Sequence, residues 1–286
     1  MGVYFNGAGY KHAKRKRRIM LARPARCLKH SFAFRALISG SIGESLPNFR
    51  VMKHDLRGQK AIAVVSGGLD SVTLAHLLAS YGAELHLLAF DYGQRHKKEL
   101  DFARECATRL GAGFDIVDLS GFTRLISGSA LTSDTIEVPH GHYAAPTMAT
   151  TVVPNRNAIL LALAFGVAVN ETAQIVAVGV HGGDHFIYPD CRPDFIHSFD
   201  AMQRTAMEGF ADPNLRLLAP FLETDKTGIV RIGHELGVPF ERTWSCYEGG
   251  AKHCGQCGTC VERREAFALA DVKDPTDYEK QAANRA

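Results

Sequence analysis

The sequence has one tryptophan, no apolar run longer than the 12 residues 158–169, and almost no acid at its beginning. A bilayer-spanning helix needs about 20 apolar residues, so no membrane span is expected. Residues 1–51 hold a single acid, Glu44, against 11 Lys and Arg, while residues 52–286 hold 22 basic and 29 acidic side chains. The net charge of +3 describes neither part and does not mark a nucleic-acid binder. The basic stretch lacks an apolar core behind it, so no secretory signal is expected either. Seven cysteines are an odd number, and four fall within 15 residues. That pattern points to a reducing compartment and a metal site, not a disulfide framework. The whole chain, 46% hydrophobic and 22% charged, has the composition of a globular protein.

Residues 1–51 show no strand or helix period. Their composition resembles a transit peptide, and a disordered basic arm or a nucleic-acid tether would look the same. The favoured expectation is a start codon upstream of the true one, because Met52 opens a compact stretch leading into a strand. A protein beginning at Met52 is then expected to keep full activity.

From residue 60 apolar periods alternate. Strands are predicted over 61–65, 84–90, 114–119 and 174–179, and helices over 72–80, 98–110 and 157–170, with Gly111 as a helix cap. A helix over 194–209, a short apolar stretch at 215–220 and a helix over 225–236 follow. Alternating strands and helices imply an α/β fold, a doubly wound parallel sheet. The expected domains are 52–240, binding nucleotide, and a small helical, zinc-binding region, 241–286. Ligands of such sheets bind beyond the carboxyl ends of the strands, here 66–71, 91–96, 152–157 and 180–192.

The sequence SGGLDS at 66–71 sets two glycines between a strand and a helix, where backbone N–H groups and the helix dipole attract an anion. An ordinary strand-to-helix turn would read alike. The GxxxxGK[ST] and GxGxxG spacings are absent, which argues against a Walker-type NTPase and a dinucleotide fold. Cys246, Cys254, Cys257 and Cys260 supply the four thiolates of a closed, structural zinc site, with Lys252, Arg263 and Arg264 near enough in sequence to offset its charge. An iron–sulfur cluster and free thiols are the other readings. Ferredoxin runs continue with a further Cys after three intervening residues, and position 264 here is Arg. His253 is a competing ligand.

SGGLDS after an apolar strand resembles the signature of the PP-loop ATP pyrophosphatases. The resemblance implies ATP, with Mg²⁺, bound along Val64, Val65, Ser66, Gly67, Gly68, Leu69, Asp70, Ser71, Val72, Thr73 and Leu74. Pyrophosphate would be held by Ser66, Gly67, Gly68 and Ser71, and Asp70 would support the turn or the cation. With FDYGQRH (90–96), VPNRN (153–157), YPDCRPDF (188–195), TWSCY (243–247) and CGQCGTC (254–260), residues 59–271 resemble the 7-cyano-7-deazaguanine synthase family. That implies conversion of 7-carboxy-7-deazaguanine, ATP and ammonia to the nitrile, through an adenylated carboxylate and then an adenylated amide. Arg95 and Arg156 would neutralise phosphate in catalysis. Tyr188, Asp190, Arg192 and Lys226 would bind substrate, with Asp190 on the guanine-like N1–H and amino group and Arg192 on the carboxylate. A buried Cys191 is expected to be inert. Family members are commonly dimers, so a cytoplasmic homodimer without nucleic acid or membrane partners is implied. The loop VHGGD (180–184) departs from the family pattern. A tRNA-thiolating PP-loop enzyme and a zinc-ribbon nucleic-acid module are the alternatives. The first needs a reactive cysteine and a basic surface, and the second leaves SGGLDS unexplained.

Overall fold

The computed structural model describes residues 55–279 except 124, 126, 127, 134 and 145–147. The basic extension therefore lies outside the described residues. Five parallel strands, β1 (Lys60–Val64), β2 (Glu84–Asp91), β3 (Gly113–Asp118), β4 (Ile175–Ala177) and β5 (Arg216–Leu218), pair in the order β3-β2-β1-β4-β5. The stretch predicted only as apolar at 215–220 is thus the edge strand β5. Among the described residues six helices have eight or more residues: α1 (Leu69–Ser80), α2 (Lys98–Leu110), α3 (Arg156–Asn170), α4 (Pro193–Ala206), α5 (Lys226–Glu235) and α6 (Gly258–Ala270).

Both faces of the sheet are apolar, as parallel sheets require. Ile62, Leu88, Phe90 and Val176 pack with Leu160, Leu161, Ala164 and Phe165 of α3 and with Ile196 and Phe199 of α4. Ala61, Ala63, Leu87 and Ala89 alternate with that set along β1 and β2 and are equally buried. Toward that side α1 contacts β1, β2, α2 and α5. The predicted α2 and its cap are as read: Gly111 takes the left-handed conformation at φ 64° and donates to the Ala107 and Thr108 carbonyls.

Ala149–Asn170, a 3₁₀ turn running into α3, makes 22 residues long and apolar enough to cross a membrane by length and composition. The sequence hid this length, because its strictly apolar core is shorter. Asn155, at φ 58°, breaks the backbone between turn and helix. Leu161, Ala164, Phe165 and Ala168 then lie buried against the sheet, which accounts for the apolarity.

The expected zinc-binding region packs on this core, α6 lying against α5. Arg263 of α6 is almost wholly buried. It donates to the Thr243 and Ser245 hydroxyls, the Phe240 carbonyl and the Thr276 hydroxyl. All its hydrogen bonds go to loop oxygen, so it fastens the loop before the cysteines to the segment after α6.

Candidate active site

Neighbouring β1 and β4 lead in opposite directions across the sheet, the switch point at which open α/β sheets bind ligands. The turn after β1 is tied by its own serines. The Ser66 N–H donates to the Ser71 hydroxyl (3.2 Å), which donates in turn to the Gly68 carbonyl (3.1 Å). Gly67 stands at φ 87°, and a Cβ there would fall 2.1 Å from the Glu99 carbonyl oxygen of α2. Its own carbonyl accepts from the Trp244 N–H at 2.9 Å. No side chain caps the start of α1, so its first N–H groups remain available to an anion.

A cavity of about 240 Å³ opens on this turn. Asp70 reaches into it from α1 and accepts from Lys226 of α5 at 2.8 Å, while Glu262 of α6 lies 3.2 Å from the same ammonium. Burial alone would raise the Asp70 carboxyl, but Lys226 and His181 outweigh it and hold it below the usual carboxylate range. Burial keeps the Glu262 carboxyl above its ordinary value despite Lys226. Asp70 Oδ1 is buried without a hydrogen-bond partner. His181, Asp184 and Glu262 bring ligand atoms within 4.8 Å of one another. Because the Gly183 N–H donates to His181 Nδ1 (3.1 Å), the neutral ring carries its proton on Nε2, toward Asp184 at 3.4 Å. With that proton in place the remaining donors of the group, Asp184 and Glu262, are carboxylates, which suit a hard divalent cation.

Ser66, Asp70, Ser71, Arg95, Arg156, Tyr188 and Lys226 all line the cavity, as do Val64, Val65, Gly68 and Leu69. Gly67, Val72, Thr73 and Leu74 are not part of the lining. Asp190 and Arg192 are not brought into the lining. Asp190 accepts from the Asn157 N–H (3.1 Å) at the start of α3, and Arg192 donates to the His185 carbonyl (2.7 Å). Tyr188 offers its ring, its hydroxyl being bonded to Thr151 at 2.7 Å. Burial raises the Cys191 thiol, whose sulfur accepts from the Asn157 amide.

Sequence reasoning missed Glu99, Asp184 and Glu262. Glu99 sits four and seven residues before Ala103 and Cys106, on the buried stripe of α2, and an acid in such a stripe is the signal that was available. Burial pushes its carboxyl up to about 7 against partial compensation by Gln94 and Arg156. Above its ordinary value the unfolded chain binds fewer protons at this group than the folded one, so stability falls as pH rises toward 7. Glu99→Gln should therefore stabilise the protein at about pH 8 by up to about 3 kcal/mol and leave it unchanged at about pH 4, read from urea midpoints.

The four cysteine sulfurs all lie within 4.8 Å of one another. A tetrahedral ion with metal–sulfur bonds of about 2.3 Å would space them about 3.8 Å apart, and Cys254 and Cys260 are 4.0 Å apart. Backbone N–H groups serve the sulfurs: that of Cys254 donates to Cys246, and those of Gln256 and Cys257 donate to Cys254. The expected cations do other work. Arg263 is the latch described above, Lys252 pairs with Asp277, and Arg264 donates to the Gly255 carbonyl. His253 Nε2 accepts from the Ser245 N–H (3.1 Å) and its ring lies on Trp244, so it stands apart from the thiolates. Trp244 also carries the Lys98 ammonium 4.1 Å over its ring.

Residues 60–271 match the model of the family described as queuosine biosynthesis protein QueC. A 7-cyano-7-deazaguanine synthase of Rhizobium johnstonii is 61% identical over 222 residues, 78% of this chain and 93% of that protein. The enzyme of the same name from Agrobacterium fabrum is 60% identical over 220 residues, 77% of this chain and 92% of that one. Among solved structures, an NMN synthetase from Francisella tularensis aligns at 13% identity with a TM-score of 0.42, covering 74% of this chain and 77% of that one. The fold assignment rests on the sheet itself. With a match spanning both the phosphate turn and the cysteine cluster, this chain belongs to the QueC family of queuosine biosynthesis proteins.

Proposed function

We propose that the chain is an ATP-dependent carbon–nitrogen ligase that turns 7-carboxy-7-deazaguanine and ammonia into 7-cyano-7-deazaguanine in the cytoplasm. What carries this reading is one cavity that joins a phosphate turn to cation-paired carboxylates, in a chain 61% identical to an enzyme of that name. A carboxylate is a poor electrophile, and transfer of AMP to its oxygen creates a leaving group. Ammonia then gives the amide, whose oxygen is activated in the same way and eliminated as the nitrile. Both activations present an oxygen to the same phosphorus, so one site serves both.

Within this reading Ser66, Ser71 and the N–H groups of the 66–69 turn hold pyrophosphate, and Lys226 and Arg156 neutralise charge that builds up during transfer. Arg95, also in the lining, does so with its guanidinium braced on the Ile136 carbonyl. Asp70, Asp184 and Glu262 would hold Mg²⁺, which when bound offsets phosphate charge. Tyr188 offers an aromatic face to a purine-like ring. Asp190 serves the site by capping the helix that carries Arg156 and Asn157, and Arg192 by fixing the loop after the 182–184 turn. The four thiolates would hold a structural zinc, with no open position for chemistry. Partners are then the three small molecules and a second copy of the chain.

Incubation with ATP, ammonia and 7-carboxy-7-deazaguanine tests the reading. It expects the nitrile by mass, together with AMP and pyrophosphate. No turnover of this substrate, with turnover of tRNA instead, would move the assignment to tRNA thiolation.

A further inference from the structure

Four carboxylates line the cavity, and three of them have a basic nitrogen within 4 Å. Asp70 and Glu262 pair with Lys226, and Asp184 stands 3.4 Å from His181. Glu99 alone of the four forms no salt bridge among the described residues. Its place is nevertheless fixed. The Gln94 side-chain amide donates to Glu99 Oε1 (3.1 Å) and to the Phe90 carbonyl (3.2 Å), while its oxygen accepts from the Tyr92 N–H (2.9 Å). The Glu99 backbone lies on Gly67, the centre of the phosphate turn. An unpaired carboxylate held this way beside a site for polyphosphate is repelled by its ligand unless it is protonated or meets a cation.

The proposed reaction brings such a cation. Ammonia in neutral water is mostly ammonium, which has no lone pair to offer, so the nitrogen donor must lose a proton within the site. We propose that Glu99 binds this ammonium and takes its proton, delivering ammonia to the adenylated carboxylate. The assignment rests on the reaction stated above. Ammonium gives one proton to the Glu99 carboxylate. The freed nitrogen then attacks the carbonyl carbon, the C–N bond forms, and the C–O bond to AMP breaks as the adduct collapses. The second proton leaves nitrogen at that collapse and departs on the AMP phosphate, giving a neutral amide. Glu99 returns its proton to solvent before the next turnover.

The surroundings suit this task. Among the described residues, Arg156 at the start of α3 and Tyr92 after β2 are the charged or titratable groups that act on Glu99 from other elements. On its own helix Lys98 turns away to the Gly250 and Ala251 carbonyls, and the preceding Lys97 turns to Asp91. Burial sets the carboxyl at about 7, where it can hold and release a proton at neutral pH.

The test compares the wild type with Glu99→Gln and Glu99→Asp in three assays: ATP–pyrophosphate exchange dependent on the deazaguanine carboxylate, turnover with ammonium, and hydroxamate formation with hydroxylamine, which is uncharged at neutral pH. Glu99→Gln should keep exchange within about threefold, lose ammonium turnover by about 100-fold or more, and keep hydroxamate formation within about tenfold. The wild-type kcat/KM for ammonium should rise with pH through about 7, a step missing in Glu99→Gln and restored by Glu99→Asp. Loss of exchange together with ammonium turnover would overturn the assignment, placing Glu99 on the base or the phosphates. Unchanged ammonium turnover would overturn it too. A wild type without carboxylate-dependent exchange would instead defeat the functional reading, and this assignment with it.

Discussion

Gly67→Ala is expected to lower turnover by about 1,000-fold or more, because the position combines two demands that only glycine meets. At φ 87° any other residue carries a left-handed penalty of about 1–2 kcal/mol. The larger demand is steric. The added Cβ would stand 2.1 Å from the Glu99 carbonyl oxygen, 2.9 Å from the Ala103 nitrogen and 3.0 Å from the Phe102 Cβ. The nearest two are backbone atoms of a packed helix, so the turn would have to move away from α2. That displacement acts on the N–H groups assigned to pyrophosphate and on the Glu99 carboxylate together. Gly111→Ala is the control: it shares the positive φ (64°) but nothing lies within 4 Å of its Cβ. It should lose about 1 kcal/mol of stability and keep its activity. Urea unfolding and ATP–pyrophosphate exchange, measured on both variants, separate strain from close approach. Equal activity losses in the two would show that the approach of α2 does not matter.

Removing the zinc proposed for the four thiolates is expected to cost more stability than any point substitution. Binding of structural zinc in small domains is worth about 10–16 kcal/mol, much of it expressed as folding free energy. Here the effect should reach the active site through two short connections. Trp244, two residues before Cys246, holds the Gly67 carbonyl, and Glu262, two residues after Cys260, reaches Lys226. Stripping the ion with a chelator, or substituting Cys257→Ser, should therefore abolish turnover and lower the unfolding midpoint. Metal content and activity should fall in parallel, from one colourless zinc per chain. Visible absorbance from bound iron would defeat the zinc assignment, and full activity in the metal-free protein would defeat the coupling.

The parts of this site legible in the sequence are those carried by local pattern. Apolar periods located α2 to the residue, and the SGGLDS turn and the four cysteines announced themselves by spacing. What stayed hidden depends on which residues the fold brings together. Asp190, in a loop rich in polar groups, reads the same whether it grips a substrate or caps a helix; only the Asn157 N–H beside it distinguishes the two. Glu262 sits in the run VERRE, where any acid looks like a solvated helix face. It enters the cavity because α6 starts at the cysteine cluster and packs on α5, bringing Glu262 to Lys226, 36 positions earlier in the chain, a contact that no local window sees. β5, three residues long, is too short for its alternation to register.

The lone tryptophan has a consequence for experiment. Its backbone N–H holds the Gly67 carbonyl, its ring meets Phe102 and His253, and a lysine ammonium lies over its face. With one indole in the whole chain, intrinsic fluorescence has a single origin, carried by a residue whose backbone is bonded to the phosphate turn while its indole N–H donates to the Cys246 carbonyl beside the cysteine cluster. Because Trp244 also lines the cavity, its emission should respond when nucleotide fills the site, so a titration can be followed optically on the unlabelled protein.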